Sequence, residues 1–291
     1  MKENNGIYIP LITPFKCDGE VDYAGLKRAT KYVLKNGADG IYAVGGSAEF
    51  MKLSIEERKK CLEVIISAAD GKTVIAHVGS TSIRESLELA RHAEKVGANM
   101  LSAVAPYYFN YTFEQVKDYF FQIAEATSLP LMIYNAAQGR TYTLEEQLVL
   151  MNHDKITAMK FTNFNYYHLE RLIYAYPNKK FYTGADEGFI SGQIVGAAGA
   201  IGTTFNCQSE KFLLAKKLIK EGKNAQALEV MHSINNIVNT LLNTNTLIVA
   251  TKYLMALDGL DIDCYSRGPN GDLTEEQKEY LKKVYLGNKL K

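Results

Sequence analysis

The chain has 291 residues, 47% of them hydrophobic, which is enough to bury a sizeable core as one barrel domain or two smaller domains. Its 33 basic and 32 acidic residues leave a net charge of +1 with no Lys- or Arg-rich block, which argues against a nucleic-acid partner. Cys17, Cys61, Cys207 and Cys264 form no C-x-x-C pair, and no apolar run approaches the ~20 residues that a bilayer requires, so the expectation is a cytoplasmic protein in a reducing compartment, with no disulfide framework, zinc site or membrane span.

Short apolar runs alternate with longer segments of helical period along most of the chain. A strand is predicted over 6–12 and a helix over 22–35. Further strand and helix pairs follow at 40–44 and 55–69, 73–77 and 83–96, 99–104 and 112–126, and 130–134 and 144–151. The last three pairs are 156–161 and 166–174, 180–184 and 187–195, and 199–203 and 209–220. Gly37, Gly71, Gly97 and Gly222 stand at helix ends, where a residue without Cβ adopts the left-handed cap most easily. Eight βα units in series predict an α/β fold, a (β/α)8 TIM barrel whose strands are buried on both faces. A doubly wound open sheet is the alternative, and no G-x-G-x-x-G follows the first strand to support it. Three further helices at 224–242, 247–257 and 274–286 have no strand between them and no Pro/Gly/Ser-rich linker before them. The expectation is therefore one domain over 1–291, with residues from 224 onward as a C-terminal helical appendix.

In a barrel the strand ends and the loops after them form the active face. Lys160 lies in the β-like run Ile156-Thr-Ala-Met-Lys-Phe161, where an unpaired ammonium is costly to bury. An apolar interior favours the free amine that attacks a ketone; the plainer alternative is a lysine reaching solvent from a strand end. Tyr134 closes the preceding strand, and a phenol beside such a lysine can shuttle the proton that aldol cleavage moves. Gly45-Gly-Ser-Ala-Glu49 follows the second strand and can offer backbone N–H groups and the Ser47 hydroxyl to a carboxylate, or be only a turn. Gly184-Ala-Asp-Glu187 and Gly202-Thr-Thr204 follow the seventh and eighth strands. Two adjacent acids there oppose phosphate and suit a polyol, unless they merely open the next helix. His77 ends the third strand, and His92, His153, His168 and His232 fall elsewhere, so a metal-dependent enzyme is disfavoured. Tyr107, Tyr108 and Tyr111 form an aromatic loop after the fourth strand, suited to packing, an interface or a site.

Tyr134, Lys160 and the Gly/Ser–Glu loop together resemble the dihydrodipicolinate synthase and N-acetylneuraminate lyase superfamily. Pro10-Leu-Ile-Thr-Pro-Phe15, Gly40-Ile-Tyr, Leu53-Ser-Ile-Glu-Glu-Arg58, Ala76-His-Val-Gly79 and Ser102-Ala-Val-Ala-Pro-Tyr-Tyr108 extend the likeness over nearly the whole chain. The resemblance implies a pyruvate-dependent class I aldolase, a homotetramer that needs no cofactor and no metal. It makes Lys160 the imine-forming residue, Tyr134 the proton-transferring phenol, and Tyr108 the tyrosine a neighbouring subunit contributes. Within the superfamily, Ser102–Glu114, Gly184–Glu187 and Ala200–Asn206 are more similar to the sialic acid lyases. That likeness has Gly184, Asp186, Glu187 and Thr203 hold sugar hydroxyls, with Thr162 near the imine.

Two stretches depart from the family pattern. Its loop after the second strand usually carries two hydroxyl residues and then Gly-Glu, whereas Gly46, Ser47 and Ala48 precede Glu49 here. Aligned on Glu49, Ser47 takes the carboxylate-binding position and Gly46 that of the relay hydroxyl; a one-residue slip gives Ser47 the relay role. Tyr134-Asn-Ala-Ala-Gln-Gly-Arg140 lacks the proline of both branches and offsets the arginine that synthases direct to a substrate carboxylate. The expectation is cleavage of a 2-keto sugar acid to pyruvate and an aldehyde, N-acetylmannosamine if the substrate is sialic acid. The alternatives are a synthase or other keto-acid aldolase of the superfamily, and a non-catalytic keto-acid-binding barrel.

Overall fold

The computed structural model describes residues 6–136, 140–269 and 271–290. Ala137 and Gln138, part of the second departure, lie outside the described residues, as do residues 1–5 at the polar N-terminus. Eight parallel strands run in chain order: β1 (Tyr8–Pro10), β2 (Gly40–Ala43), β3 (Thr73–His77), β4 (Met100–Val104), β5 (Leu131–Asn135), β6 (Ile156–Phe161), β7 (Lys180–Thr183) and β8 (Gly199–Ala200). A parallel bridge between Ile7 and Ala200 brings the last strand back to the first, so the sheet closes into the predicted (β/α)8 barrel. The intervening helices are α1 (Tyr23–Lys35), α2 (Ile55–Ala68), α3 (Ile83–Lys95), α4 (Phe113–Glu125), α5 (Leu144–Met151), α6 (Tyr166–Ala175), α7 (Phe189–Ile194) and α8 (Phe205–Lys220). After them come α9 (Asn224–Leu242), α10 (Leu247–Leu257) and α11 (Glu275–Gly287). Among the described residues no helix is long and apolar enough to cross a membrane.

Local sequence explains where these elements begin and end. Ser54/Glu57, Thr112/Gln115, Thr143/Glu146 and Thr274/Gln277 form reciprocal capping boxes at the starts of α2, α4, α5 and α11, each satisfying two N–H groups that the helix leaves orphaned. Gly37, Gly71, Gly97 and Gly222 adopt positive φ after their helices, as their positions predict. The period of two along the strands sorts the core into two sets. Tyr8, Tyr42, Ile75, Met100, Met132, Ala158, Tyr182 and Ile201 form a separate cluster inside the barrel. The alternate strand residues join the large cluster shared with the surrounding helices, including Ile234, Val238 and Leu241 of α9 and Leu254 of α10.

The elements depart from the sequence expectation near the active face. The strand expected over 199–203 ends at Ala200, because Asn206 folds back across the seam. Its Nδ2 donates to the Pro10 and Thr203 carbonyls at 2.9 and 2.8 Å. The helix expected from 209 already begins at Phe205 and is interrupted at Gln208, whose φ is −148°. The helix expected over 187–195 is a 3-10 turn, Asp186–Gly188, followed by α7. The loop after β2 carries two further 3-10 turns, Gly46–Ala48 and Phe50–Lys52.

Candidate active site

Met132 and Ala158 belong to the interior cluster, so Tyr134 and Lys160, two residues further along the same strands, also face inward. The β5–β6 register sets them directly opposite each other. Lys160 is 6% exposed, and its Nζ lies 4.1 Å from the centre of the Tyr134 ring and 5.0 Å from that of Tyr42. Among the described residues it makes no salt bridge and no side-chain hydrogen bond, and the Tyr134 hydroxyl likewise has no protein partner. Tyr42, by contrast, bonds Ser102 Oγ at 3.0 Å, and burial pushes its phenol well above the ordinary range. The Lys160 and Tyr134 side chains, neither with a hydrogen-bond partner among the described residues, thus share one face of the barrel interior.

His77 has a structural place beside them. Its Nε2 accepts from the Val104 N–H at 3.3 Å, its ring packs at a tilt against Phe50, and burial drives its pKa well below the usual imidazole value. Arg58 donates to the His77 and Gly79 carbonyls, both at 3.0 Å. No group of three or more His, Cys, Asp or Glu side chains is assembled to hold a metal among the described residues.

The loop after β2 is bent at unusual backbone angles. Val44 has φ 55° and Glu49 φ 58°, both in the left-handed region that residues with a Cβ occupy rarely and at a cost. Between them, a Cβ at Gly45 would stand 2.3 Å from the Tyr42 ring, whereas one at Gly46 would meet nothing within 4 Å. The N–H groups of Ala48 and Glu49 are spent on the turn. Those of Gly46 and Ser47 have no acceptor among the described residues. The Ser47 hydroxyl reaches Thr203 Oγ1 at 2.8 Å, which ties this loop to the one after β8.

Gly184 follows β7 so closely against β6 that a Cβ there would sit 2.0 Å from Thr162 Oγ1 and 3.1 Å from Lys160 Cε. Asp186 is 7% exposed. Its Oδ2 accepts from the Thr204 N–H at 2.8 Å, while its Oδ1 has no protein partner among the described residues. Burial raises its pKa to about 6 against the opposing pull of Thr204. Glu187 is half-buried, and its carbonyl accepts from Asn235 Nδ2 of α9 at 3.3 Å.

A cavity of about 530 Å³ joins these pieces. Gly46, Ser47, Tyr134, Lys160, Thr162, Gly184, Asp186, Glu187 and Thr203 all line it. Tyr108 does not: it is 89% exposed with φ 85° on the loop after β4. Arg140 also lies outside, donating to the Tyr111 carbonyl at 3.2 Å and pairing with Glu146. Sequence reasoning missed the far wall, made by Asn163, Phe164, Val238, Leu242, Leu247 and Ile248. The helical period of α9 and α10 signals an apolar face without saying that part of it covers the barrel mouth.

The model of the dihydrodipicolinate synthetase family matches residues 3–286. The N-acetylneuraminate lyase of Fusobacterium nucleatum is 33% identical over 284 residues, 96% of this chain and 97% of its own length. Among solved structures, CdNal of Clostridium difficile in complex with mannosamine superposes with a TM-score of 0.95 at 30% identity, over 99% of this chain and 100% of that one. The Fusobacterium nucleatum lyase complexed with pyruvate superposes with a TM-score of 0.91 at 32% identity, over 97% and 96% of the two chains.

Proposed function

The chain belongs to the dihydrodipicolinate synthetase family, and we propose that within it the chain is a class I aldolase, a carbon–carbon lyase that cleaves a 2-keto sugar acid of the sialic acid type to pyruvate and an aldehyde. The observation that carries this reading is the unpaired amine of Lys160 facing the free phenol of Tyr134, in one cavity with a hydroxyl-accepting acid pair at Asp186 and Glu187. The Fusobacterium nucleatum relative is named N-acetylneuraminate lyase and was solved with pyruvate. Arg140 pairs with Glu146 and does not line the cavity, which weighs against the synthase alternative.

In this mechanism Lys160 Nζ attacks the C2 ketone of the open-chain substrate, and loss of water gives a protonated imine. Tyr134 gives its phenol proton to the departing water and, as the phenolate, accepts the C4 hydroxyl proton as the C3–C4 bond breaks, and the bonding pair flows into the imine to leave an enamine. The aldehyde departs, C3 is protonated, and water hydrolyses the imine to release pyruvate and the free amine. Ser47, with the free N–H groups of Gly46 and Ser47, receives the carboxylate; Asp186, Glu187 and Thr203 receive sugar hydroxyls. Thr162 and the glycine at 184 shape the space around the imine. Tyr108, too exposed to serve its own cavity, serves a neighbouring copy in a homotetramer. The reading puts the enzyme in the cytoplasm, and four unpaired cysteines support that.

The test is steady-state cleavage of N-acetylneuraminate, followed as pyruvate release, beside a panel of aldehydes condensed with pyruvate. The expected result is turnover of the sugar acid that vanishes in Lys160→Ala. Condensation only with aspartate semialdehyde, or pyruvate binding without any turnover, would favour the synthase or the non-catalytic reading instead.

A further inference from the structure

Ser47 is aimed by a loop whose shape depends on the residue that closes it. Glu49 ends the turn in the left-handed region, φ 58°, and its side chain, 3% exposed, points away from the cavity into a buried knot of donors. Lys252 of α10, whose side chain is 0% exposed, reaches Glu49 Oε1 at 3.0 Å. Lys52 reaches Oε2 at 2.9 Å, and the Ser266 hydroxyl also donates to Oε2. Both lysines are themselves fixed by the segment between α10 and α11. Lys252 donates to the Tyr265 carbonyl at 2.7 Å and Lys52 to the Arg267 carbonyl at 2.6 Å. None of these side chains lines the cavity.

A buried ion cluster is a poor stabiliser, because desolvation offsets most of the Coulombic attraction and a well-packed apolar substitute of similar volume often does as well. What such a cluster does supply is direction. Here it fixes the backbone two residues after Ser47, and α10, which carries Lys252, also contributes Leu247 and Ile248 to the cavity wall. We propose that the Glu49–Lys252–Lys52 triad is a positioning device that holds Gly46 and Ser47 in register against Thr203, so that their N–H groups and the Ser47 hydroxyl meet the substrate carboxylate. The inference rests on the reading above, in which this loop receives the carboxylate.

The experiment measures pyruvate affinity by borohydride trapping across a pyruvate series in wild type, Lys252→Met, Glu49→Gln/Lys252→Met and Lys52→Met. Folding of each is checked by circular dichroism and melting. The double variant removes the buried Glu49–Lys252 pair together and leaves only the Lys52 charge, which is partly exposed, so the test survives if Lys252→Met alone does not fold. In the folded variants the pyruvate concentration for half-maximal trapping should rise on the order of tenfold, the scale of coupling between contacting groups, while the rate at saturating pyruvate is kept. In a Ser47→Ala background the same substitutions should cost less than they do in wild type, because the part of their effect that runs through the Ser47 hydroxyl is already lost while the N–H part remains. Unchanged pyruvate affinity in the folded variants, or effects that simply multiply with Ser47→Ala, would overturn the proposal. Failure of wild type to trap pyruvate at all would instead overturn the functional reading beneath it.

Discussion

Asp186 and Gly46 show how much a single position on the active face constrains. Asp186 is a buried acid whose pKa is raised to about 6, chiefly by desolvation. A proton therefore binds the folded state more tightly than the unfolded one. The sign follows: above about pH 6 the ionised Asp186 destabilises the fold, and the penalty fades as pH falls toward the ordinary carboxylate range near pH ~4. Asp186→Asn should accordingly melt higher than wild type at about pH 8, by ~1–3 kcal/mol in stability, with the gain shrinking in melts at about pH 4.5. An equal gain at both pH values would contradict the assignment. The same substitution should weaken sugar-acid cleavage, the usual trade between stability and function. At Gly46 a Cβ meets open space and the backbone does not need positive φ. Gly46→Ser is thus expected to fold normally, within ~0.5 kcal/mol of wild type, and to keep or raise turnover; a large loss of melting temperature would show that the loop is tighter than it looks.

At the scale of elements, the packing of β6 against β7 leaves no room beside the reactive amine. Gly184→Ala would drive a methyl against Thr162 Oγ1 and Lys160 Cε, and overpacking of this kind costs about 1–3 kcal/mol. The expected outcome is a slower rate of borohydride trapping together with a lower melting temperature. Trapping at the wild-type rate would mean that Thr162 turns aside freely. The same strands explain why Lys160 and Tyr134 could be found from sequence: a period of two and neighbouring strands in order suffice to put both on one inner face. The 3-10 turns at Gly46–Ala48 and Asp186–Gly188 could not be read that way. They are set by tertiary bonds, Ser47 to Thr203 and Asp186 to Thr204, rather than by local propensity. The link from Glu49 to Lys252 spans 203 positions, and neither residue carries a local signal that names the other.

Over the whole molecule, eight repeats of strand and helix were enough to predict the closed barrel, because each unit's apolar pattern leaves it no other way to bury both faces of a parallel sheet. What the repeat does not encode is the lid: α9 and α10 bring Val238, Leu242, Leu247 and Ile248 over the mouth, a placement decided by packing between segments far apart in the chain. The central claim for the assembled molecule is that this enclosed face makes one lysine the nucleophile. Intact mass and peptide mapping after borohydride reduction with pyruvate test it most directly. The predicted result is one reduced pyruvyl group per chain, located on Lys160 and absent when pyruvate is omitted; a label on another lysine, or a folded and catalytically active protein that takes up none, would contradict it.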